Sequence, residues 1–95
     1  MKFDVTKGDQ YELSTLAMAR GEHCVEEVGD GDVIALVIVW GCVQVTRERG
    51  GQPASFSLHA RPSAPLFLVN PGRYCVVAER SSLGVRGVRR NGVVV

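Results

Sequence analysis

The sequence predicts an all-β chain folded as one small, single-domain barrel or sandwich. Three observations lead there. Its 95 residues suffice for one domain and leave no room for a second. Valine, which favours pleated surfaces, is the commonest residue at sixteen, against seven Leu and two Ile. Short apolar or alternating runs recur every ~8–12 residues with Gly, Pro, Asn or Asp turn signals between them, the spacing of sandwiches and barrels. With 6% aromatic residues, aliphatic side chains must build the core. The 45% hydrophobic and 22% charged content fits a globular domain. Coiled coil, collagen and large enzyme are excluded.

Phe3 to Val5 opens the chain as a short strand, closed by Lys7-Gly8-Asp9. Tyr11 to Ala19 fits two periods. Leu13, Leu16 and Ala17 lie at helical spacing, while Tyr11, Leu13 and Thr15 alternate. The strand is preferred, because a lone short helix is marginal without packing. Gly21 ends it, and His23 to Val28 forms a half-buried strand or loop. Gly29-Asp30-Gly31-Asp32 is a turn signal. Val33 to Val39 is continuously apolar, as in a strand covered on both faces. Gly41 marks a bend, after which Val43 to Arg47 alternates. Residues 48–52 form a hairpin loop. Ala54 to Ala60 alternates again, with Phe56 and Leu58 on one face. Pro62 and Pro65 bracket a turn before Leu66 to Val69, and Asn70-Pro71-Gly72 leads into Tyr74 to Ala78. Leu83, Val85 and Val88 belong to a closing strand, and Val93 to Val95 form a sticky tail.

The net charge of +1 implies no polyanionic partner by itself. Its distribution is uneven. Residues 1–32 carry eight acids against three bases, and residues 33–95 carry eight Arg against Glu48 and Glu79. The halves are expected to face and neutralise each other, within one fold or across a subunit interface. An arginine patch for an anionic ligand is the alternative. Cys24, Cys42 and Cys75 are three thiols at long spacing with no C-x-x-C, which excludes a zinc ribbon or thioredoxin-type site. Each reads as a small buried hydrophobe. The N-terminus shows no signal-peptide pattern and no apolar run is long enough to span a bilayer, so a soluble cytoplasmic protein is expected.

The order of strand, Gly, alternating strand, Gly-Gly hairpin, Pro-rich turn, short apolar strand and Pro-Gly turn resembles the cupin superfamily, the RmlC-like jelly rolls. Gly21 and Gly41 take the two glycine positions of the first cupin motif. Its two His positions then fall on Glu27 and Gly29, and its Glu position on Ile34. In the second motif Gly72 takes the glycine, Asn70 stands for proline and Cys75 stands for histidine. Residues 21–80 thus keep the glycines of the backbone and lose the ligands of the metal. The resemblance implies a jelly-roll, cupin-like β-barrel with one open mouth, commonly dimeric. With an Ile at the carboxylate position, no metal and no other cofactor are expected.

No catalytic motif is present. His23 and Cys24 point to opposite faces of a strand, so they cannot form a dyad, whereas Cys24 and Glu26 share a face. His59 reads as a surface or hydrogen-bonded histidine, with general base as the alternative. Alternation puts Arg73 and Cys75 on one face and Tyr74 and Val76 on the other. An inward Arg73 would fork onto a carboxylate or phosphate; otherwise it makes a surface ion pair with one of the N-terminal acids. Trp40 reads as a core filler, with a ligand-stacking platform as the alternative. Gly29 to Asp32 lacks the spaced oxygens of a calcium loop.

The leading reading is a metal-free, cupin-like protein that binds a small polar or anionic metabolite in the barrel mouth. Glu27, Trp40, His59, Arg73, Tyr74 and Cys75 are the candidate contacts. Catalysis, as a metal-free isomerase or phosphorylase, is left open. A homodimer is the expected assembly. A homo-oligomeric structural or interaction module, resting on the run 33–43 and the valine tail, is the alternative. A five-stranded OB-like nucleic-acid binder is a third reading, and it lacks aromatics on a cleared basic face.

Overall fold

A computed structural model describes residues 5–7, 11–49, 52–53 and 58–90. The valine tail, Phe3, Phe56 and most of the expected 54–60 strand lie outside the described residues. Every described element is a strand, and all paired strands are antiparallel. No helix is long and apolar enough to cross a membrane.

The strands are β1 (Val5–Lys7), β2 (Tyr11–Met18), β3 (His23–Val28), β4 (Val33–Trp40), β5 (Val43–Arg49), β6 (Gln52–Pro53), β7 (Leu58–Ala60), β8 (Leu66–Leu68), β9 (Gly72–Ala78) and β10 (Ser82–Arg89). The larger sheet has the order β1-β2-β10-β4-β8. The smaller runs β3-β9-β5, with β6 and β7 both pairing with β5. From β2 to β5 and again from β8 to β10, each strand joins the sheet opposite its predecessor. That alternation winds the chain into a jelly roll.

The ambiguous segment at 11–19 is a strand because its side chains follow period two. Ser14, Leu16 and Met18 are buried, while Tyr11 and Leu13 are exposed. Tight turns connect the sheets. At 29–32 the Asp32 amide donates to the Gly29 carbonyl and the Asp32 carboxylate accepts from the Gly29 amide, both within 3.1 Å. The aspartate therefore closes its own turn at the site of the turn signal.

The core lies between the sheets. Leu16, Ile34, Leu36, Val43, Val45 and Val76 are all at most 1% exposed. One expectation fails at β4. Its apolar run suggested cover on both faces, yet only Ile34, Leu36 and Ile38 are buried, and Val37 and Val39 are 43% and 59% exposed. No described residue covers the outer face of the larger sheet. Trp40, expected in the core, is 54% exposed on that face.

The expected bend is real. Gly41 has φ +97°, and a Cβ there would lie 2.3 Å from the Ser82 hydroxyl. Only glycine permits that approach. Ser82 accepts the Cys42 amide at 3.0 Å and donates to the Arg80 carbonyl at 2.8 Å, so it pins the bend to the start of β10. The pairing between β10 and β4 shifts register beside it, between Leu83 and Gly84.

Ion pairs join the acidic and basic parts of the chain. Arg86 meets Glu26 and Glu12, and Arg90 meets Asp32. The charge split is thus resolved, in part, inside one domain.

Candidate functional site

The polar groups of the barrel interior are set by strand parity. On β3, Cys24, Glu26 and Val28 face inward. On β9 the inward residues are Gly72, Tyr74, Val76 and Ala78, and on β5 they are Val43, Val45 and Arg47. Register aligns Glu26 with Tyr74 and Tyr74 with Arg47. One inner row of the smaller sheet is therefore glutamate, tyrosine and arginine in an otherwise apolar chamber. From the larger sheet, Ser14 and Arg86 face it as a cross-strand pair.

Arg86 crosses between the sheets and forks onto Glu26. Its Nε donates to Oε2, and its Nη2 donates to Oε1 at 2.7 Å. Glu12 stands 3.8 Å from Nη1. Hydrogen bonding to Glu26 is the first cause holding the Arg86 pKa above its ordinary value. The adjacent Cys24 thiol is pushed up to about 11, first by burial and then by the Glu26 charge, so it is a neutral thiol near pH 7. Tyr74 donates to the Asn70 carbonyl at 2.7 Å.

Arg47 is different. Its Nη2 donates to the Pro71 carbonyl, and its Nε is buried with no hydrogen-bond partner. No acid among the described residues pairs with it. The guanidinium lies where a side chain at Gly72 would be. A Cβ on Gly72 would sit 2.8 Å from Nε.

Gly72 also lines a cleft of about 480 Å³ at this end of the barrel, with Glu27, Val28, Gly29, Asp32, Arg73 and Arg90. Arg90 donates to Asp32 at 2.9 Å and to the Glu27 carbonyl at 2.8 Å, which forms one wall. Arg73 is a cross-strand neighbour of Glu27. Its ion pair is instead a loose one with Glu48 at 3.5 Å, not with an acid of residues 1–32.

A second cleft, about 280 Å³, lies at the opposite end and is lined by Gly41, Cys42, His59, Arg61, Glu79 and Arg80. Here Glu79 stands between a thiol and an imidazole. It is 2.9 Å from His59 Nε2, and its amide donates to the Cys42 carbonyl at 2.9 Å. A side-chain hydrogen bond with Cys42 is the first cause lowering the Glu79 pKa, and burial is the first cause raising that of Cys42. A thiol held above its ordinary pKa by burial is the opposite of an activated nucleophile.

The six sequence candidates are dispersed. Glu27 and Arg73 share the larger cleft, from the outward face. His59 belongs to the smaller one. Tyr74 is buried in the inner row. Cys75 is half-buried on the outer face of the smaller sheet, and Trp40 is on the outer face of the larger. The motif alignment placed Glu27 and Cys75 at ligand positions, yet the inward residues are their neighbours Glu26 and Tyr74. A one-residue slip inverts every face of a strand. Glu26 was legible as sharing a face with Cys24. Nothing in the sequence ranked Arg47 or Arg86 above the other arginines, because an unpaired charge is a property of the fold.

A cupin metal would need three or four converging donors. The inward positions nearest the family's ligand sites hold Glu26, Val28, Ile34 and Tyr74, and Glu26 is committed to Arg86. Among the described residues, no three of His, Cys, Asp and Glu come together. This donor set does not fit a metal.

No family model matches the sequence, and no curated protein matches it. Solved structures do match the fold. A RmlC-like cupin protein from Desulfovibrio desulfuricans superposes with TM-score 0.72 at 10% identity, over 93% of this chain and 80% of that one. A protein with a double-stranded β-helix domain from Klebsiella pneumoniae gives 0.73 at 9% identity, over 93% and 70%. A cupin superfamily protein from Desulfitobacterium hafniense gives 0.65 at 16% identity, over 88% and 70%. At such identities the likeness shows the fold alone. The fold is the cupin jelly roll, which replaces the OB-like alternative.

Proposed function

We propose, taking the cupin jelly roll as the frame, that this chain is a metal-free binding protein for a small polar metabolite carrying a carboxylate. The ligand sits at the Gly72 end of the barrel. The observation that carries this reading is Arg47, an inward guanidinium with no acid partner among the described residues, whereas the inward Arg86 is paired with Glu26. Its Nε is buried with no hydrogen-bond partner, which is costly, and a carboxylate would supply both an acceptor and a counter-charge. Arg73 adds a second, loosely held cation at the cleft. Glu27 is an acceptor for a donor group elsewhere on the ligand. Net charge around the cleft is near balance, which favours a molecule that is polar as well as anionic. Three free thiols suit a reducing cytoplasm.

Backbone amide shifts during titration with citrate, with glutamate and with uncharged glycerol test this reading. The two carboxylates should move the resonances of Gly72, Tyr74 and Arg73 in a saturable way, and glycerol should not. Arg47→Gln should remove the effect while leaving the spectrum folded. Saturable shifts confined to Arg61 and Arg80, or an unchanged response in Arg47→Gln, would refute it.

A further inference from the structure

The smaller cleft, at the Gly41 end, lies outside the carboxylate site. Register sets its residues around the start of β5. Val43 pairs with Ala60 on β7 and with Ala78 on β9. One step further along each strand, Arg61 and Glu79 flank Cys42 from either side. The Glu79 carboxylate reaches across β5 to His59, the partner of Gln44. Arg80 and Gly41 complete the lining.

The polar groups of this cleft divide into two sets. One is satisfied within the chain. The Cys42 amide donates to the Ser82 hydroxyl and the Glu79 amide to the Cys42 carbonyl. The amides of Arg61 and Ala64 donate to each other's carbonyls, and the Glu79 carboxylate meets His59. The other set is the pair of guanidiniums on Arg61 and Arg80. Neither meets a carboxylate among the described residues. Both act on one point. Burial is the first cause raising the Cys42 pKa, and Arg61 and Arg80 both pull it back. Two cations therefore converge on one concave spot, where they repel each other and only Glu79 opposes them.

We propose that this cleft binds a phosphate group, free or at the end of a small phosphomonoester, between Arg61 and Arg80. A guanidinium holds two oxygens of an oxyanion in its planar fork. Two forks call for more acceptors than the two oxygens of a carboxylate, and a tetrahedral phosphate offers them. Size agrees. The cleft, at about 280 Å³, falls below the ~300–1,000 Å³ of pockets for drug-sized ligands, so it suits an ion or a short ester. Glu79 opposes the anion, which keeps the affinity modest and gives the test a sign. The barrel then carries two sites of different chemistry at opposite ends, and this one does not rest on the carboxylate site.

Titration of the full chain with inorganic phosphate at constant ionic strength, with chloride as the control anion, tests this. Calorimetry should give saturable binding with a dissociation constant of about 1 mM. The backbone amides of Gly41, Cys42, Arg61 and Arg80 should shift, and those of Gly72 and Arg73 should not. Arg61→Gln and Arg80→Gln should each weaken binding about tenfold with an unchanged dichroism spectrum. Glu79→Gln should tighten it about threefold, because the opposing charge goes while an acceptor for His59 remains. Arg89→Gln removes the same charge from the far end of β10, where Arg89 pairs with Tyr11 and Val33, and should change nothing. Glycerol phosphate in place of phosphate identifies the source: tighter binding assigns an ester, weaker binding the free ion. Four results overturn the proposal: shifts reproduced by chloride, shifts at the Gly72 end instead, equal weakening in Arg61→Gln, Arg80→Gln and Arg89→Gln, or glutamate binding here as tightly as phosphate. Loss of carboxylate binding in Arg47→Gln leaves the phosphate result untouched, so the two sites stand or fall separately.

Discussion

Removing Arg86 should cost more than removing the charge of its partner, and removing both should cost least. Arg86 and Glu26 hold each other across the sheets, with side chains 14% and 7% exposed. Arg86→Met leaves the Glu26 carboxylate in the chamber with no cation. Its neighbours are then the Cys24 thiol and Glu12, an acid that repels it. Breaking a buried pair in this way costs ~3–5 kcal/mol, a large share of the ~5–15 kcal/mol available to a domain of this size. Glu26→Gln keeps the shape and leaves Arg86 with Glu12 at 3.8 Å, a partner 39% exposed. The expected loss there is ~1–3 kcal/mol, the range for an impaired buried hydrogen bond. The double variant Glu26→Leu with Arg86→Met removes both charges and should return close to wild type. Urea unfolding followed by dichroism supplies the four free energies of the cycle. Additive single losses, or a double variant worse than Arg86→Met, would refute the account of this pair as a mutually dependent charge lock.

Ser82→Ala should destabilise by ~1–3 kcal/mol, because the buried Cys42 amide loses its acceptor. Thermal unfolding measures this, and a loss below a few tenths would show that the bend does not depend on the hydroxyl. Cys24 titrates near 11 against about 9 for an ordinary thiol. Its folded pKa is the higher one, so its contribution to stability is intact below pH 9 and is lost as pH rises toward 11. Alkaline unfolding of Cys24→Ala should therefore begin at higher pH than that of wild type. Alkylation of Cys24 should also stay slow at pH 8 in the folded chain and become fast on unfolding.

The all-β reading was determined by the sequence, since it rests on local pattern. Valine runs, period-two alternation and turn residues at 29–32 and 70–72 act within a few residues of each other, and strand formation follows from them. The bend at Gly41 was legible for the same reason, and so was the common face of Cys24 and Glu26. Even the cupin likeness rested on Gly21, Gly41 and Gly72, which serve the backbone. The tertiary structure decided what depends on distant neighbours. Parity within β3 and β9 placed Glu26 and Tyr74 inside instead of Glu27 and Cys75, because burial at Val28 and Val76 sets which alternate set faces the core. Arg47 and Arg86 look identical in sequence, yet an acid 60 residues from Arg86 neutralises it and no described acid reaches Arg47. The continuous apolar run of β4 could not reveal which of its faces lacks a cover, since a covering layer is another element or another chain. Local patterns determine the element. Charge pairing, inward facing and the uncovered sheet are long-range outcomes, and only the packed fold holds them.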